Sequence, residues 1–82
     1  MSVTILYFAG LREKLGMAAE TLVLPPTVQT VTDLRGHLLA LGRDALASTP
    51  NLRCAINQEM QGFDAPLKDG DEIAFFPPVT GG

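Results

Sequence analysis

Hydrophobic and polar positions along this chain change period several times, and each change marks an element. From Val3 to Phe8, Val3, Ile5 and Tyr7 share one parity while Leu6 and Phe8 take the other. A β-branched and aromatic run that is apolar on both faces predicts a central strand. Gly10 to Gly16 then offers a helical turn or two, closed by Gly16. Glu20 to Pro26 reads as a second strand, stopped by two prolines that cannot donate to a ladder. At Thr30 the period becomes helical, and Val31, Leu34, Leu38 and Leu41 fall in one stripe. Thr30 caps this main helix with Asp33 three residues on, Gly36 lies on the outer face, and Gly42 supplies the stop. Arg43 to Pro50 continues as a short turn of helix or a loop.

Alternation returns at Leu52 to Met60, with Leu52, Cys54 and Ile56 on one face, turning near Asn57–Gln58 into a short fourth segment. An Asp69–Gly70 turn leads to a last strand from Glu72 to Phe76. This order predicts one α+β domain over residues 1–76, a mixed sheet of four to five strands laid on one main helix. The first and last strands, both apolar on two faces, are expected to pair in its middle. With one face covered by the helix, the other retains Leu6, Phe8 and Phe76 near one end. An uncovered apolar patch on a small protein marks a partner surface.

Composition narrows the function classes. The chain has 82 residues, a net charge of −3, one cysteine and one histidine. A lone cysteine forms no internal disulfide, which suits a reducing cytoplasm. Six basic residues are scattered without a patch, so nucleic-acid binding has no electrostatic support. No apolar run approaches the ~20 residues of a membrane span, and the N-terminus lacks the pattern of a signal peptide; a soluble chain, unprocessed at its start, is expected.

Chemistry is sparse. His37 sits on the flank of the helical stripe with no residue placed to make it a base or a metal ligand. Cys54 shares the inward parity of Leu52 and Ile56 and reads as a small hydrophobe. Asp69, Asp71 and Glu72 read as a solvated turn, since they lack the register of a calcium loop. No metal site is expected. What remains is the tail, Pro77 to Gly82, reading Pro-Pro-Val-Thr-Gly-Gly. Pro77 and Pro78 favour extended backbone, and a six-residue extended segment reaches at most ~20 Å. Val79 and Thr80 are compact, and Gly81 and Gly82 have no Cβ, a shape that fits a narrow channel in another protein.

Several stretches resemble one known family. PLKDGDEIAFFPPVTGG, Pro66 to Gly82, is similar to the C-terminal signature of the small subunit of molybdopterin synthase, the MoaD-type sulfur carrier. ILYFAGLREKLG resembles that family's opening strand and short helix, TVTDLRGHLL its long helix, and CAINQE its central strand. The resemblance implies the ubiquitin-like β-grasp fold. It implies that Gly82 is adenylated by a ubiquitin-activating-type adenylyltransferase using ATP, then converted to a thiocarboxylate. The sulfur would come from a donor such as a cysteine desulfurase or a rhodanese-like protein. Gly81 would keep the channel entrance clear, and Pro77, Pro78, Val79 and Thr80 would form the segment inserted into the large subunit. That subunit binds cyclic pyranopterin monophosphate, on which the dithiolene of molybdopterin is built, and the family's assembly is a heterotetramer. The chain itself is expected to bind no cofactor. Phe75 and Phe76, with Leu6 and Phe8, are the candidate docking residues. The runners-up are a sulfur carrier of thiamine thiazole synthesis, a ubiquitin-like protein modifier, and a non-catalytic β-grasp interaction module.

Overall fold

The computed structural model describes residues 1–78. Eight elements run in the order β1 (Ser2–Tyr7), α1 (Gly10–Leu15), β2 (Ala19–Val23), α2 (Val31–Ala40), α3 (Ala45–Ser48), β3 (Arg53–Ile56), β4 (Glu59–Gln61) and β5 (Glu72–Phe76). The strands form one five-stranded sheet in the order β2-β1-β5-β3-β4. β1 and β5 are parallel, with Ile5 opposite Ile73 and Tyr7 opposite Phe75, and the other pairings are antiparallel. The first and last strands therefore hold the middle of a mixed sheet, and the helices lie on one side of it. This is the ubiquitin-like β-grasp arrangement.

Strict alternation builds the core. Val3, Ile5 and Tyr7 of β1, Cys54 of β3, and Ile73 and Phe75 of β5 point to one face, where Val31, Leu34 and Leu38 of α2 join them in a single buried cluster. Leu11 and Leu46 add the buried faces of α1 and α3. α2 starts where the sequence places it: the Thr30 hydroxyl accepts from the Asp33 N–H at 3.2 Å, and the Asp33 carboxylate accepts from the N–H groups of Thr30 at 3.2 Å and Gln29 at 3.0 Å. Those backbone donors hold the Asp33 carboxyl below the usual carboxylate range. The β3–β4 hairpin closes through Asn57 and Gln58, both at positive φ (50° and 71°), as a two-residue connection requires.

Three expectations are corrected. Leu41 is not part of the buried stripe: α2 ends at Ala40, and Leu41, at its C-cap, is exposed. The second strand runs Ala19–Val23 and stops short of the prolines; Leu24, buried in the core on the same parity as Leu22, still donates its N–H to the Met1 carbonyl, and Pro25 and Pro26 have no N–H to go further. Asp71 is not a solvated turn residue. It is buried, with its carboxylate accepting from Asn57 Nδ2 at 2.9 Å and from the Lys68 N–H at 2.8 Å.

Candidate functional site

The residues of β1, β3 and β5 that do not enter the core face the opposite side of the sheet, which no helix among the described residues covers. The register sets Leu6, Ala74, Ala55 and Met60 in one row across four strands. Two alanines in the middle of that row leave a hollow between larger neighbours. The result is an open concavity of about 400 Å³ lined by Leu6, Phe8, Ala55, Gln58, Met60, Glu72, Ala74 and Phe76. Phe8 is 47% exposed and Met60 61%, whereas Leu6 and Phe76 are half-buried. For an 82-residue chain this is a concentrated apolar surface.

Of the predicted docking residues, the structure brings Leu6, Phe8 and Phe76 together on this face. Phe75 does not belong with them. It is fully buried, its ring stacked on Tyr7 with centroids 6.5 Å apart and tilted against Phe63 at 6.3 Å. Adjacent residues of a strand point to opposite faces, so only one of two neighbouring phenylalanines can serve the surface. Ala55, Met60 and Ala74 were not singled out from the sequence. Ala74 has the same parity as Phe76, and Ala55 and Met60 follow from the Asn57–Gln58 turn, so the signal was present.

The tail leaves from the end of the same strand. β5 finishes at Phe76, after the Phe8 N–H has donated to the Phe75 carbonyl at 3.2 Å. Pro77 has no N–H to continue the ladder, and Pro77 and Pro78 are half-buried beyond the strand. The expectations for Val79, Thr80, Gly81 and Gly82 lie outside the described residues.

A charged cluster ties β1, β2 and the turn after α2 together. Tyr7 donates its hydroxyl to Glu20 Oε2 at 2.6 Å, and Arg43 grips both Glu20 oxygens, Nε to Oε2 at 2.9 Å and Nη2 to Oε1 at 2.8 Å. Burial, then the Glu20 carboxylate, push the Tyr7 hydroxyl well above its usual range, so it stays a donor. The Arg43 hydrogen bonds hold the Glu20 carboxyl below the usual range against the opposing effect of burial.

The remaining reactive groups are committed elsewhere or lack company. Cys54 is buried, its thiol donates to the Gln61 carbonyl at 3.3 Å, and burial pushes its pKa up, away from thiolate. A polar concavity of about 370 Å³ beside the β3–β4 hairpin includes Asp71, whose oxygens are already bonded. Among the described residues, no three His, Cys, Asp or Glu side chains come together. Nor is any helix among them long and apolar enough to cross a membrane.

Comparison with known proteins extends these observations over the whole chain. Residues 5–82 match the model of the ThiS family. The molybdopterin synthase sulfur carrier subunit of Escherichia coli strain K12 is 48% identical over 83 aligned residues, covering 98% of this chain and 99% of that protein. Its Haemophilus influenzae counterpart is 43% identical over 82, covering 98% and 99%. Among solved structures, a Pyrococcus furiosus chain named as subunit 1 of a molybdopterin converting factor superposes with a TM-score of 0.81. It is 27% identical, with 96% of this chain and 99% of that one covered.

Proposed function

The chain belongs to the ThiS family, and on that premise we propose that it is the sulfur carrier subunit of a molybdopterin synthase. The observation that carries the reading is spatial. A Pro-Pro-Val-Thr-Gly-Gly terminus begins at the end of β5, beside an open apolar face built by that same strand and its neighbours. The face would dock on a larger subunit while the terminus reaches that subunit's active site, up to ~20 Å from Phe76. Nearly full-length likeness to carriers of the molybdopterin type supports this over the thiazole pathway.

The working atom is then the carbonyl carbon of Gly82. A carboxylate is a poor electrophile, because its charge is delocalised and oxide would have to leave. Adenylation by an ATP-dependent activating enzyme converts one carboxylate oxygen into a phosphate leaving group. A donor persulfide displaces AMP through its terminal sulfur, and a thiol then cleaves the resulting acyl disulfide, forming a disulfide and releasing the thiocarboxylate, a soft nucleophile. Within the large subunit its sulfur passes to cyclic pyranopterin monophosphate to build the molybdopterin dithiolene, and Gly82 returns to a carboxylate for recharging. ATP serves the activating enzyme, and this chain brings no cofactor of its own. The cytoplasm, reducing and supplied with ATP, suits these steps. Gly81 and Gly82 lack a Cβ, which permits close approach of the channel wall to the backbone.

Deletion of Gly82, assayed with the large subunit in a reconstituted synthase, tests the reading. Thermal unfolding is expected to be unchanged and sulfur transfer abolished. Retained transfer would overturn the proposal.

A further inference from the structure

We infer that Met60 is a redox switch on the docking face: a peroxide converts its thioether to the sulfoxide, and the folded carrier then fails to engage the large subunit until a thiol-dependent reductase restores it. The inference rests on the carrier reading for the identity of the partner; the choice of residue is argued from the fold.

Exposure ranks the sulfur atoms. The chain has three methionines and one cysteine. Cys54 is buried, its thiol donates to the Gln61 carbonyl, and burial disfavours the thiolate that would attack a peroxide. Met17 is half-buried and packed against the core. Met1 is 36% exposed, at the end of β1 away from the tail, where its carbonyl accepts from the Leu24 N–H. Met60, at 61%, is the most open of the four. A thioether needs no deprotonation to react, so access decides which methionine is oxidised first.

Position gives that oxidation a consequence. Met60 lies opposite Ala55 in the β3–β4 pair, and its side chain lines the hollow together with Leu6, Phe8, Ala74 and Phe76. Docking must strip water from whatever that side chain presents. A thioether gives up its water readily. A sulfoxide oxygen is a strong acceptor, and Leu6, Phe8, Ala74 and Phe76 have no side-chain donor to replace the lost water. Met60 takes no part in the buried cluster, so the added oxygen leaves the core intact. The change acts on recognition and spares the fold.

The chemistry balances with one reagent. The sulfur lone pair attacks a peroxide oxygen, an S–O bond forms as the O–O bond breaks, and water or an alcohol leaves. Sulfur is oxidised and the peroxide reduced by one electron pair. Two thiols return that pair through the reductase, releasing the oxygen as water and leaving a disulfide. Peroxide thus withholds free carrier from the large subunit, and reductant returns it.

The test uses the full-length carrier in its carboxylate form, whose terminus holds no sulfur. It is treated with hydrogen peroxide, freed of the reagent, and titrated into the large subunit. Wild type should gain an oxygen at Met60, located by peptide mass mapping, and lose at least about tenfold in affinity by calorimetry, with thermal unfolding unchanged. Methionine sulfoxide reductase should restore binding. Met60→Gln, polar without oxidation, should bind more weakly than wild type before any treatment. Met60→Leu, measured against its own untreated form, should not respond to peroxide, whereas Met17→Leu should respond as wild type does. Carrier already bound to the large subunit should oxidise more slowly at Met60. Full affinity with Met60 oxidised, lost affinity in peroxide-treated Met60→Leu, or equal oxidation bound and free would each overturn the inference. So would unfolding of the oxidised chain. If untreated wild type does not bind the large subunit, the carrier reading fails and the switch with it. If it binds and transfers sulfur but ignores peroxide, the switch alone fails.

Discussion

Arg43→Ala is a demanding test of how β1, β2 and the turn after α2 are held together. The substitution removes two charge-assisted hydrogen bonds to Glu20, at 2.9 and 2.8 Å, and a third contact from Nη1 to the Leu41 carbonyl at 3.1 Å. Glu20 keeps the Tyr7 hydroxyl and little else. The pair is neither a surface bridge nor a buried one, with side chains 23% and 13% exposed. Exposed pairs contribute up to about 1 kcal/mol. Truncating a fully buried pair costs about 3–5 kcal/mol, because the remaining charge is stranded. Between those limits, two lost bonds to a carboxylate that still reaches some water should cost about 2 kcal/mol. In a domain of this size that lowers Tm by roughly 10 °C. Urea unfolding at neutral and acid pH provides the assay and fixes the sign. Glu20 ionises more easily in the folded chain than its ordinary value of 4.5. Its contribution is therefore complete above that value and is lost as pH falls through the depressed folded pKa. The penalty of Arg43→Ala should shrink over the same acid range, because wild type there loses what the variant already lacks. A penalty under about 0.5 kcal/mol at neutral pH, or one that does not change on acidification, would refute the reasoning.

Neighbouring phenylalanines should behave oppositely. Phe75→Ala should cost about 3–5 kcal/mol in urea unfolding because it empties the space against Tyr7 and Phe63. Phe76→Ala should cost about 1 kcal/mol and show instead as weaker binding of the large subunit in calorimetry; equal stability costs would refute the assignment of faces. Gln58→Gly should stabilise by about 0.5–1 kcal/mol, since Gln58 holds φ 71° in the hairpin, and a fall in Tm would show that its side chain supports the turn.

Where the interactions were local, the residues announced them. Thr30 and Asp33 lie three apart and cap each other as expected, and the Glu72–Phe76 strand has the predicted bounds. The period-two run of Val3, Ile5 and Tyr7 marked one face of β1, but Leu6 and Phe8 made the other face apolar too, and only the fold shows that the first set turns inward. Distant pairings left no such trace. Glu20 and Arg43 are 23 positions apart and look like ordinary solvated charges until β2 and the turn after α2 meet. Asp71 sits in an acidic, glycine-containing turn that reads as exposed, and only the folded hairpin brings Asn57 to its carboxylate. Phe75 and Phe76 are equally apolar, so hydrophobicity alone could not separate core from surface. Parity could, once Phe75 was tied to Tyr7. Leu41 kept the helical spacing after the helix itself had ended. For the tail, the sequence supplied the candidate residues and the structure supplied the strand end and open face from which it starts.

That shared origin explains how a small domain carries two demands on one strand. β5 gives Ile73 and Phe75 to the core and Ala74 and Phe76 to the open face, so stability and recognition alternate residue by residue. Because the core uses only the inward set, the outward set can serve a partner without weakening the fold. The parallel pairing with β1 matters for the same reason. It anchors β5 centrally, with β1 on one side and β3 on the other, and ends it where Phe8 and Phe76 meet the surface. A terminus on an edge strand would have hydrogen-bonded neighbours on one side only, and its direction would vary as the edge frayed. Leaving from the middle of the sheet and stopped by Pro77, the tail starts from the most firmly held point available to it. The reach to Gly82 is then measured from a fixed origin.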